Sequence, residues 1–365
     1  MIERAPALRL VATSWISGWW LRDRRTNGHS PAVRQAGYQV EEIRFVADDG
    51  SKAGGFAVDA LRDLTGGRMT SVARSELAAE IYRSLDGRVE TTFDDEISAI
   101  NEHDDSAQIV LQSGKKRDVD IVVGADGLRS RVRELIFGTE GRFEKDLGYR
   151  FAVFETAGYE TRDENVYVIH AAASRQIARF ALRGGRTLFL LVFRAELLNG
   201  VEPIGPVETR AVMKTVFGDA GWESGRILAA METADDLYFD RVSQIRMPTW
   251  HRGRTVLVGD AGMAVSFLAG EGAGLAMMGA YVLAGEILRA PGDYAKAFAT
   301  YDARLRPFIE AKQHRAESFA STFVPQTEFG IWLRNQATKL MALPGAANLM
   351  LGKSLSDDFT LPDYA

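Results

Sequence analysis

The hydrophobic and polar positions of the first 146 residues predict alternating strands and helices. Apolar and polar residues alternate over 42–47, as in a half-buried strand, whereas 74–85 carries apolar residues at a helical spacing of four. Residues 108–112 and 119–123 are typical of further strands. The second is apolar except for Asp120, so we expect it to be buried on both faces over most of its length. This alternation indicates an α/β chain.

The pattern changes between Leu147 and Trp250. Strand-like runs such as 166–169, 178–182 and 187–193 are separated by Arg/Gly turns, which predicts a mostly antiparallel sheet inserted into the α/β chain. After Thr255 the α/β pattern returns, and the C-terminal third is predicted to be helical. One apolar stripe there is expected to pack against the body; it consists of Phe329, Trp332, Leu333, Ala337, Leu340 and Met341.

Composition excludes several functional classes. The net charge of −5 gives no reason to expect a nucleic-acid partner. The absence of Cys excludes disulfides and a Cys nucleophile, and it suits a cytoplasmic location. The five His have no metal-ligand spacing, so no metal site is predicted. The apolar stretch 255–288 contains Asp260, Glu271 and Glu286, so we expect a buried strand, turn and helix there and no membrane span.

The first chemical motif is the sequence VGADGLRSRVR at 123–133, in which an apolar strand runs into a tight turn and a helix. Gly124 and Gly127 allow close approach of the backbone to a ligand, or a positive φ. Asp126 can accept hydrogen bonds from ribose hydroxyls or can cap the following helix. Taken alone, the motif favours the structural interpretation, because capped helices after Asp-Gly turns are common.

The second motif combines GRTVLVGDA at 253–261 with AGEGAG at 269–274. The strand delivers Asp260 to its carboxyl end, where ligands bind in open α/β sheets. The Gly-rich loop then opens a long helix, whose free N–H groups and positive dipole end favour negative charge. Gly270 and Gly272 allow a flat ring to approach the backbone. A strand, an Asp and such a loop in this order predict a cofactor site.

Together the two motifs resemble the class A FAD-dependent monooxygenases, the para-hydroxybenzoate-hydroxylase-like aromatic hydroxylases. The sequence Arg74-Ser75-Glu76-Leu77 looks like that family's Arg-x-x-Leu helix start, and the segment 2–6 looks like the end of its second strand. The resemblance covers 3–6 and then 31 to the C-terminus. It implies an FAD/NAD(P)-binding Rossmann-like domain with an inserted substrate sheet and C-terminal helices.

The implied domain division has four segments. A first FAD-binding segment covers 1–146, the substrate sheet covers 147–250, a second FAD-binding segment covers 251–295, and C-terminal helices cover 296–365. The resemblance also implies a set of FAD-binding residues, which are Glu3, Arg4, Arg74, Gly124, Asp126, Gly127, Gly259, Asp260, Gly270, Gly272 and Ala273.

The resemblance assigns roles to these residues. Glu3 would bind the adenosine ribose, and Arg74 would contact the phosphate and ribityl region. Asp126 would lie near FAD and the NAD(P)H path, and Asp260 would bind the ribityl chain or the pyrophosphate. Gly270, Gly272 and the helix after them would stabilise negative charge at the flavin N1/C2 carbonyl. No side-chain acid or base is assigned.

Three positions depart from the family pattern. Met263 replaces the usual His, Phe267 replaces the usual Pro, and Gly279 replaces an Asp often found on the following helix. None of these changes removes the backbone chemistry. All three are expected near the flavin, where they could alter the ring's setting or the substrate, and simple packing explains Met263 and Phe267 equally well.

The N-terminal region departs further. A dinucleotide-binding unit needs Gly-x-Gly-x-x-Gly about 20 residues before its acid, and nothing of this kind precedes Glu3. The segment 10–30 holds three of the six Trp without usable periodicity. Because adjacent reading frames could yield GGYVVDFW and GYEIAERMGILP, we hypothesise that frame shifts corrupted this segment and that Met1 is a false internal start. The nucleotide sequence tests this hypothesis.

The implied reaction is hydroxylation of an aromatic or polyketide-like small molecule by O2 through a flavin C4a-hydroperoxide, with NADPH or NADH as reductant. The cavity is expected between the flavin and the sheet around 180–193. Two alternatives stay open. One is a related flavoenzyme, a prenyl reductase or a halogenase, although no Trp-x-Trp-x-Ile-Pro motif occurs. The other is an inactive remnant that binds no FAD. The sequence does not specify the oligomeric state.

Overall fold

The computed structural model describes residues 13–17, 33–59 without Arg34, 69–160, 162–341 and 359–364. These residues form an α/β protein. Its strands are β1 Thr13–Ser17, β2 Glu42–Val46, β3 Lys52–Ala57, β4 Met69–Ala73, β5 Ile97–Glu102, β6 Ala107–Leu111, β7 Lys116–Val119, β8 Val122–Gly124, β9 Glu144–Ala157, β10 Val166–Ala172, β11 Arg175–Leu182, β12 Arg186–Arg194, β13 Tyr238–Ile245, β14 His251–Arg252 and β15 Thr255–Leu257.

The longest α-helices of the described residues lie at the C-terminal end, as predicted, whereas two helices within 205–232 were not predicted from the sequence. The α-helices of the described residues are α1 Arg74–Ser84, α2 Arg131–Phe137, α3 Gly205–Phe217, α4 Ser224–Glu232, α5 Asp260–Met263, α6 Gly272–Arg289, α7 Tyr294–Phe323 and α8 Glu328–Leu340. None of these helices is both long and apolar enough to cross a bilayer.

The predicted inserted sheet is present and has seven strands in the order β13-β9-β12-β11-β10-β2-β3. All neighbours are antiparallel except β2 and β10, which are parallel, so the expected mostly antiparallel character is confirmed. The sheet extends beyond the predicted segment 147–250, because β2 and β3 come from the region before it and β9 begins at Glu144.

The two faces of the seven-stranded sheet are buried against different partners. Strand β12 is an almost continuous apolar run, as expected when both faces are covered. Phe189, Leu191 and Phe193 pack with the residues of α3 and α4. Leu188 and Val192 pack in a separate cluster with residues from β9, α7 and the turn at 267–268. Only this second face is therefore turned toward the Gly-rich loop.

A smaller sheet carries the two sequence motifs. Strands β8 and β15 are parallel, with Leu257 opposite Gly124, so their carboxyl ends meet at one edge. The prediction of one strand over 119–123 that is buried over most of its length is wrong. The segment serves two sheets, because β7 pairs with β6 and β8 pairs with β15. Since β8 has a single paired neighbour among the described strands, Val123 is 42% exposed.

The prediction for the C-terminal apolar stripe is also wrong. Of its six residues Met341 is buried, whereas Phe329, Trp332, Leu333 and Leu340 are exposed. The face of α8 that meets the body is largely polar; it consists of Ile331, Arg334, Asn335 and Thr338. This face rests directly on the backbone of β3, where Oγ1 of Thr338 accepts a hydrogen bond from the Gly55 amide at 3.0 Å.

Within the anomalous segment 10–30, the structure describes the strand β1, which pairs antiparallel with β4 from Thr13 opposite Ala73 to Ser17 opposite Met69. Strand β4 leads directly into α1 at Arg74. Glu3 and Arg4 lie outside the described residues, as does the rest of the anomalous segment.

Candidate cofactor and substrate site

Three of the predicted cofactor-binding segments converge at one place. A β-carbon placed on Gly272, the first residue of α6, would lie 3.6 Å from Oδ1 of Asp260. Arg74, the first residue of α1, is close enough to Asp260 for each charge to influence the pKa of the other. The strand end, the Gly-rich loop and the Arg-x-x-Leu helix start therefore meet, as the sequence motifs predict.

The positions of Asp260 and Arg74 indicate an internal cleft. Both side chains lie deep in the protein, yet both keep some of their surface accessible to solvent. Burial raises the pKa of Asp260, and the Arg74 guanidinium offsets some of that rise. Burial likewise lowers the pKa of Arg74. A charged group in such a place is stable when a ligand or a solvent molecule completes its interactions.

The carboxylate of Asp260 has acceptor capacity to spare. Within the described residues of the chain, no group donates a hydrogen bond to it, and its charged neighbour is Arg74. Asp260 follows Gly259, whose φ of 63° turns the chain sharply out of β15. A β-carbon on Gly259 would lie 2.9 Å from that of Ala276, so glycine also lets this turn pack against α6. The turn thus holds the carboxylate at the beginning of α6.

Among the described residues, the backbone amides at the beginning of α6 have no capping side chain. Its N-cap residue, Glu271, makes no side-chain capping hydrogen bond to the first turn. Gly270 has a φ of 69° and ends the preceding 3₁₀ turn. Ala273 packs with Val72 and Leu77, which ties this helix end to β4 and α1. Free amides and the helix dipole make this end suitable for a group that carries negative charge.

A buried cation holds the Gly-rich loop in place. Nζ of Lys312, on α7, lies 3.0 Å from the carboxylate of Glu271, and the Lys312 side chain is only 4% exposed. Sequence analysis did not identify Lys312, because its partner is 41 residues away on another element. The ion pair with Lys312 keeps the Glu271 carboxylate away from the α6 amides, which can therefore bind a ligand.

The first motif has a mainly structural role in this structure. Asp126 accepts hydrogen bonds from Oγ of Ser130 at 2.6 Å and from the Val132 amide at 2.9 Å, so it caps the start of α2. A β-carbon on Gly124 would overlap Leu257 and Val132, at 2.6 and 2.8 Å. Close packing therefore explains Gly124, and the turn requires glycine at 127, where φ is 81°.

The two motifs are joined by a buried arginine that sequence analysis did not single out. The guanidinium of Arg133 donates to the carbonyl of Ala261 at 2.8 Å and to that of Leu128 at 2.7 Å. Asp126 therefore lies on a loop that is linked to the Asp260 turn, although its own carboxylate is turned toward α2. A sequence signal for Arg133 was present, because it belongs to the first motif.

Aromatic rings form the wall of the cleft on the sheet side. Phe267 stacks on Phe151 with a centroid distance of 3.9 Å and an angle of 5°, and the Arg74 guanidinium lies 6.0 Å from the Phe267 centroid. Further along the same face, Tyr167 stacks on Phe180 at 4.3 Å. Phe151 and Phe180 are buried beneath their partners, so the partly exposed rings of Phe267 and Tyr167 are the ones that can contact a flat, apolar ligand.

A polar chain of three residues borders this aromatic wall. The Tyr238 hydroxyl donates a hydrogen bond of 2.7 Å to Asp240, which also accepts from Arg129. Burial raises the pKa of Tyr238, and the Asp240 carboxylate raises it further, so the phenol is protonated at neutral pH. The Tyr238 ring is 5.8 Å from that of Phe151, and its hydroxyl influences the pKa of Arg74. Tyr238 thus joins the sheet to the cofactor segments.

Two of the three departures from the family pattern contact each other. A β-carbon on Gly279 would lie 3.1 Å from Cε of Met263, which is buried beside it. The methionine therefore occupies the room that a side chain at 279 would need, and packing explains both residues. Phe267, the third departure, instead belongs to the cleft wall through its stacking on Phe151.

Comparison with known proteins agrees with this geometry. Residues 52–316 match the family described as FAD binding domain. The chain belongs to this family of class A flavin monooxygenases. It is 32% identical to the uncharacterized protein Rv1260 of Mycobacterium tuberculosis, over 90% of this chain and 89% of the relative. It is 31% identical to a flavin-dependent monooxygenase of Legionella longbeachae, over 80% of this chain and 73% of the relative.

Solved structures of the same fold support this assignment to the class A flavin monooxygenases. The tetracycline destructase Tet(51) superimposes with a TM-score of 0.79 at 26% identity, covering 98% of this chain and 90% of the other. Klebsiella pneumoniae HpxO, in a variant complexed with FAD, superimposes with a TM-score of 0.77 at 19% identity, covering 96% and 90%. The second likeness shows the fold alone.

The residues of the cleft fit FAD. The Asp260 carboxylate, to which no described residue donates a hydrogen bond, can accept hydrogen bonds from ribityl hydroxyls. The amides at the start of α6 can bind an electron-rich carbonyl, and the small residues Gly270, Gly272 and Ala273 leave room for a flat ring beside them. The chain is thus an FAD-dependent enzyme of the class A monooxygenase family.

Proposed function

We propose that this chain hydroxylates a flat aromatic or polyketide-like small molecule, using FAD, O2 and NADPH or NADH, in the cytoplasm. The observation that carries the proposal is the accessible Asp260 carboxylate, which lies beside the first turn of α6 and opposite an aromatic wall. When bound, FAD supplies the hydride acceptance and oxygen activation.

In this proposal the chain's own residues bind and orient the reactants. Asp260 accepts hydrogen bonds from the ribityl chain, and Arg74 contacts the phosphate and ribityl region. The amides following Gly270 and Gly272 stabilise negative charge on the flavin pyrimidine ring. Asp126 and Gly127 act indirectly, since the cap that they form holds the Arg133 link to the Asp260 turn.

The aromatic wall would hold the substrate and exclude water from the reacting centre. Tyr238 supplies a polar contact at its edge. Because its proton is engaged by Asp240, the lone pairs of the Tyr238 oxygen are left to accept a hydrogen bond from a substrate hydroxyl. That contact would favour a phenolic or enolic ring over an unsubstituted one.

The test begins with the purified chain incubated with FAD and freed of excess cofactor by gel filtration. A visible flavin spectrum at close to one FAD per chain is expected, followed by NADPH or NADH oxidation that phenolic multi-ring compounds accelerate. Mass spectrometry under ¹⁸O2 should show one labelled oxygen in the product. Absence of flavin in the protein peak would instead identify an inactive remnant, and reduction of a double bond without label would identify a reductase.

A further inference from the structure

Helix α8 presents an apolar face to solvent. The exposed fractions are 69% for Phe329, 55% for Trp332, 53% for Leu333 and 55% for Leu340. The Phe329 and Trp332 rings stack on each other with a centroid distance of 5.8 Å. Given that an aromatic side chain has about 150–250 Å² of surface, this patch measures on the order of 400–500 Å². That is the size of the largest apolar patch on a typical monomer, and such patches are often functional.

The helix cannot rotate to bury this face, because its opposite face is attached by specific polar contacts. The Arg334 guanidinium lies 4.1 Å from the Phe45 centroid and donates to the Phe323 carbonyl and to Gln176, each at 3.2 Å. Thr338 is fixed to the backbone of β3. A rotation would leave a buried guanidinium and buried backbone groups without partners. The surface against which α8 packs therefore cannot also cover its apolar face, which needs a different partner.

The charges on α8 are arranged so that the exposed face is complementary to itself. Glu328 and Lys339, both exposed, are eleven residues apart, which places them about 16 Å apart along the helix and within about 20° around it. Phe329 and Leu340 have the same spacing. A two-fold axis perpendicular to the helix at the level of residue 334 would bring Glu328 of one copy to within one residue of the position opposite Lys339 of the other, and Phe329 equally near the position opposite Leu340.

We propose that the exposed face of α8 is the interface of a homodimer in which the two α8 helices pack antiparallel about this two-fold axis. Opposite charges at the rim of a helix pair fix its orientation, and a two-fold interface uses each contact twice. The two patches together would bury roughly 800–1,000 Å², which is near the lower limit for a specific interface. The dimer is therefore expected to dissociate on dilution.

The experiment is sedimentation velocity of the FAD-loaded full chain at concentrations from the low micromolar range upward, with four variants and one control. Glu328→Lys and Lys339→Glu each place like charges opposite one another twice, and each should weaken dimerisation about 10-fold. The double variant Glu328→Lys/Lys339→Glu restores both pairs and should recover the dimer. Trp332→Ser should give a monomer throughout. The control Lys296→Glu makes the same charge change as Lys339→Glu at an exposed position on α7 and should leave dimerisation unchanged.

Circular dichroism and flavin content are measured for each variant, and unchanged values verify that it is folded. A wild-type chain that stays monomeric at the highest concentration would overturn the proposal, because the face would then be uncovered or covered by another segment of the same chain. A dimer that persists in Trp332→Ser would also overturn it, since the interface would lie elsewhere. Weakening without recovery in the double variant would refute the antiparallel arrangement.

Discussion

The pair formed by Lys312 and Glu271 offers the sharpest test of how the Gly-rich loop is held. Replacing Lys312 by Met keeps the length of the side chain and removes the buried positive charge that lies 3.0 Å from the Glu271 carboxylate. Lys312 is 4% exposed and Glu271 18% exposed, so solvent can replace little of the lost interaction. Removal of one member of a buried pair typically lowers the free energy of unfolding by about 3–5 kcal/mol.

The double variant Lys312→Met/Glu271→Gln separates the charge effect from packing. Without either charge, no uncompensated ion remains, so we expect the double variant to lie within about 1–2 kcal/mol of the wild type. Glu271→Gln alone leaves the ammonium buried and should be destabilising by a similar amount to Lys312→Met. The two single effects should therefore be strongly non-additive.

Urea unfolding of the FAD-free protein, followed by tryptophan fluorescence, measures these free energies. Flavin titration of the same variants then shows whether the loop still accepts the cofactor, and weaker binding is expected in Lys312→Met. The reasoning would be refuted by a double variant that is as unstable as the sum of the two single ones. In that case the contacts of each side chain with its own surroundings, rather than the charge pair, would hold the loop.

Three further predictions concern other regions of the site. The pKa of Asp260 is raised by burial, so its stabilising contribution is full below about pH 3.9 and is lost as the pH rises. The FAD-free variant Asp260→Asn should therefore unfold at a higher urea concentration than the wild type at neutral pH. A difference in unfolding midpoint between the two that is equally large near the ordinary Asp pKa would contradict this. Tyr238→Phe should raise KM for a phenolic substrate about 5-fold, the value of one hydrogen bond, with flavin content unchanged, as steady-state kinetics would show. Met263→Ala should lower the unfolding free energy by about 2–5 kcal/mol by leaving a cavity beside Gly279, and a loss well below that range in urea titration would refute the packing role.

The convergence of Asp260 with the start of α6 could be predicted because both lie within one continuous stretch of chain. A strand, a glycine turn and a Gly-rich helix start have local signatures, and their order restricts where they meet. The Arg-x-x-Leu start at Arg74 is placed near them by the family resemblance alone. The structure brings Arg74 to the same cleft through packing around Leu77 and Ala273.

Lys312 and Tyr238 could not be predicted because their importance depends on distant partners. Lys312 lies in an otherwise ordinary helix, and only the fold brings it to Glu271. Tyr238 belongs to a strand of the seven-stranded sheet, but the depth of its position follows from β9 and the turn at Phe267. Sequence spacing indicates which residues share a face and leaves open what that face meets.

The orientation of α8 also shows that sequence spacing does not determine what a helix face meets. The periodicity indicates two unlike faces, and the usual arrangement places the apolar one against the body. The structure inverts this arrangement, because β3 carries adjacent glycines and offers its bare backbone as a surface for small polar side chains. A β-carbon on Gly54 would lie 2.8 Å from the Asn335 carbonyl. The adjacent glycines of β3 were the sequence feature that could have indicated this polar contact.

This backbone contact has a mechanical consequence. Because α8 touches the main chain of β3, no side-chain rotation can absorb a displacement between them, and any shift of the helix must carry the strand with it. Strand β3 is the outermost strand of the same sheet whose central strands bear the aromatic wall. A force applied to the outer surface of α8 is therefore transmitted directly to the edge of that sheet. We expect β3 and α8 to move together, as one rigid body, when a ligand binds in the cleft.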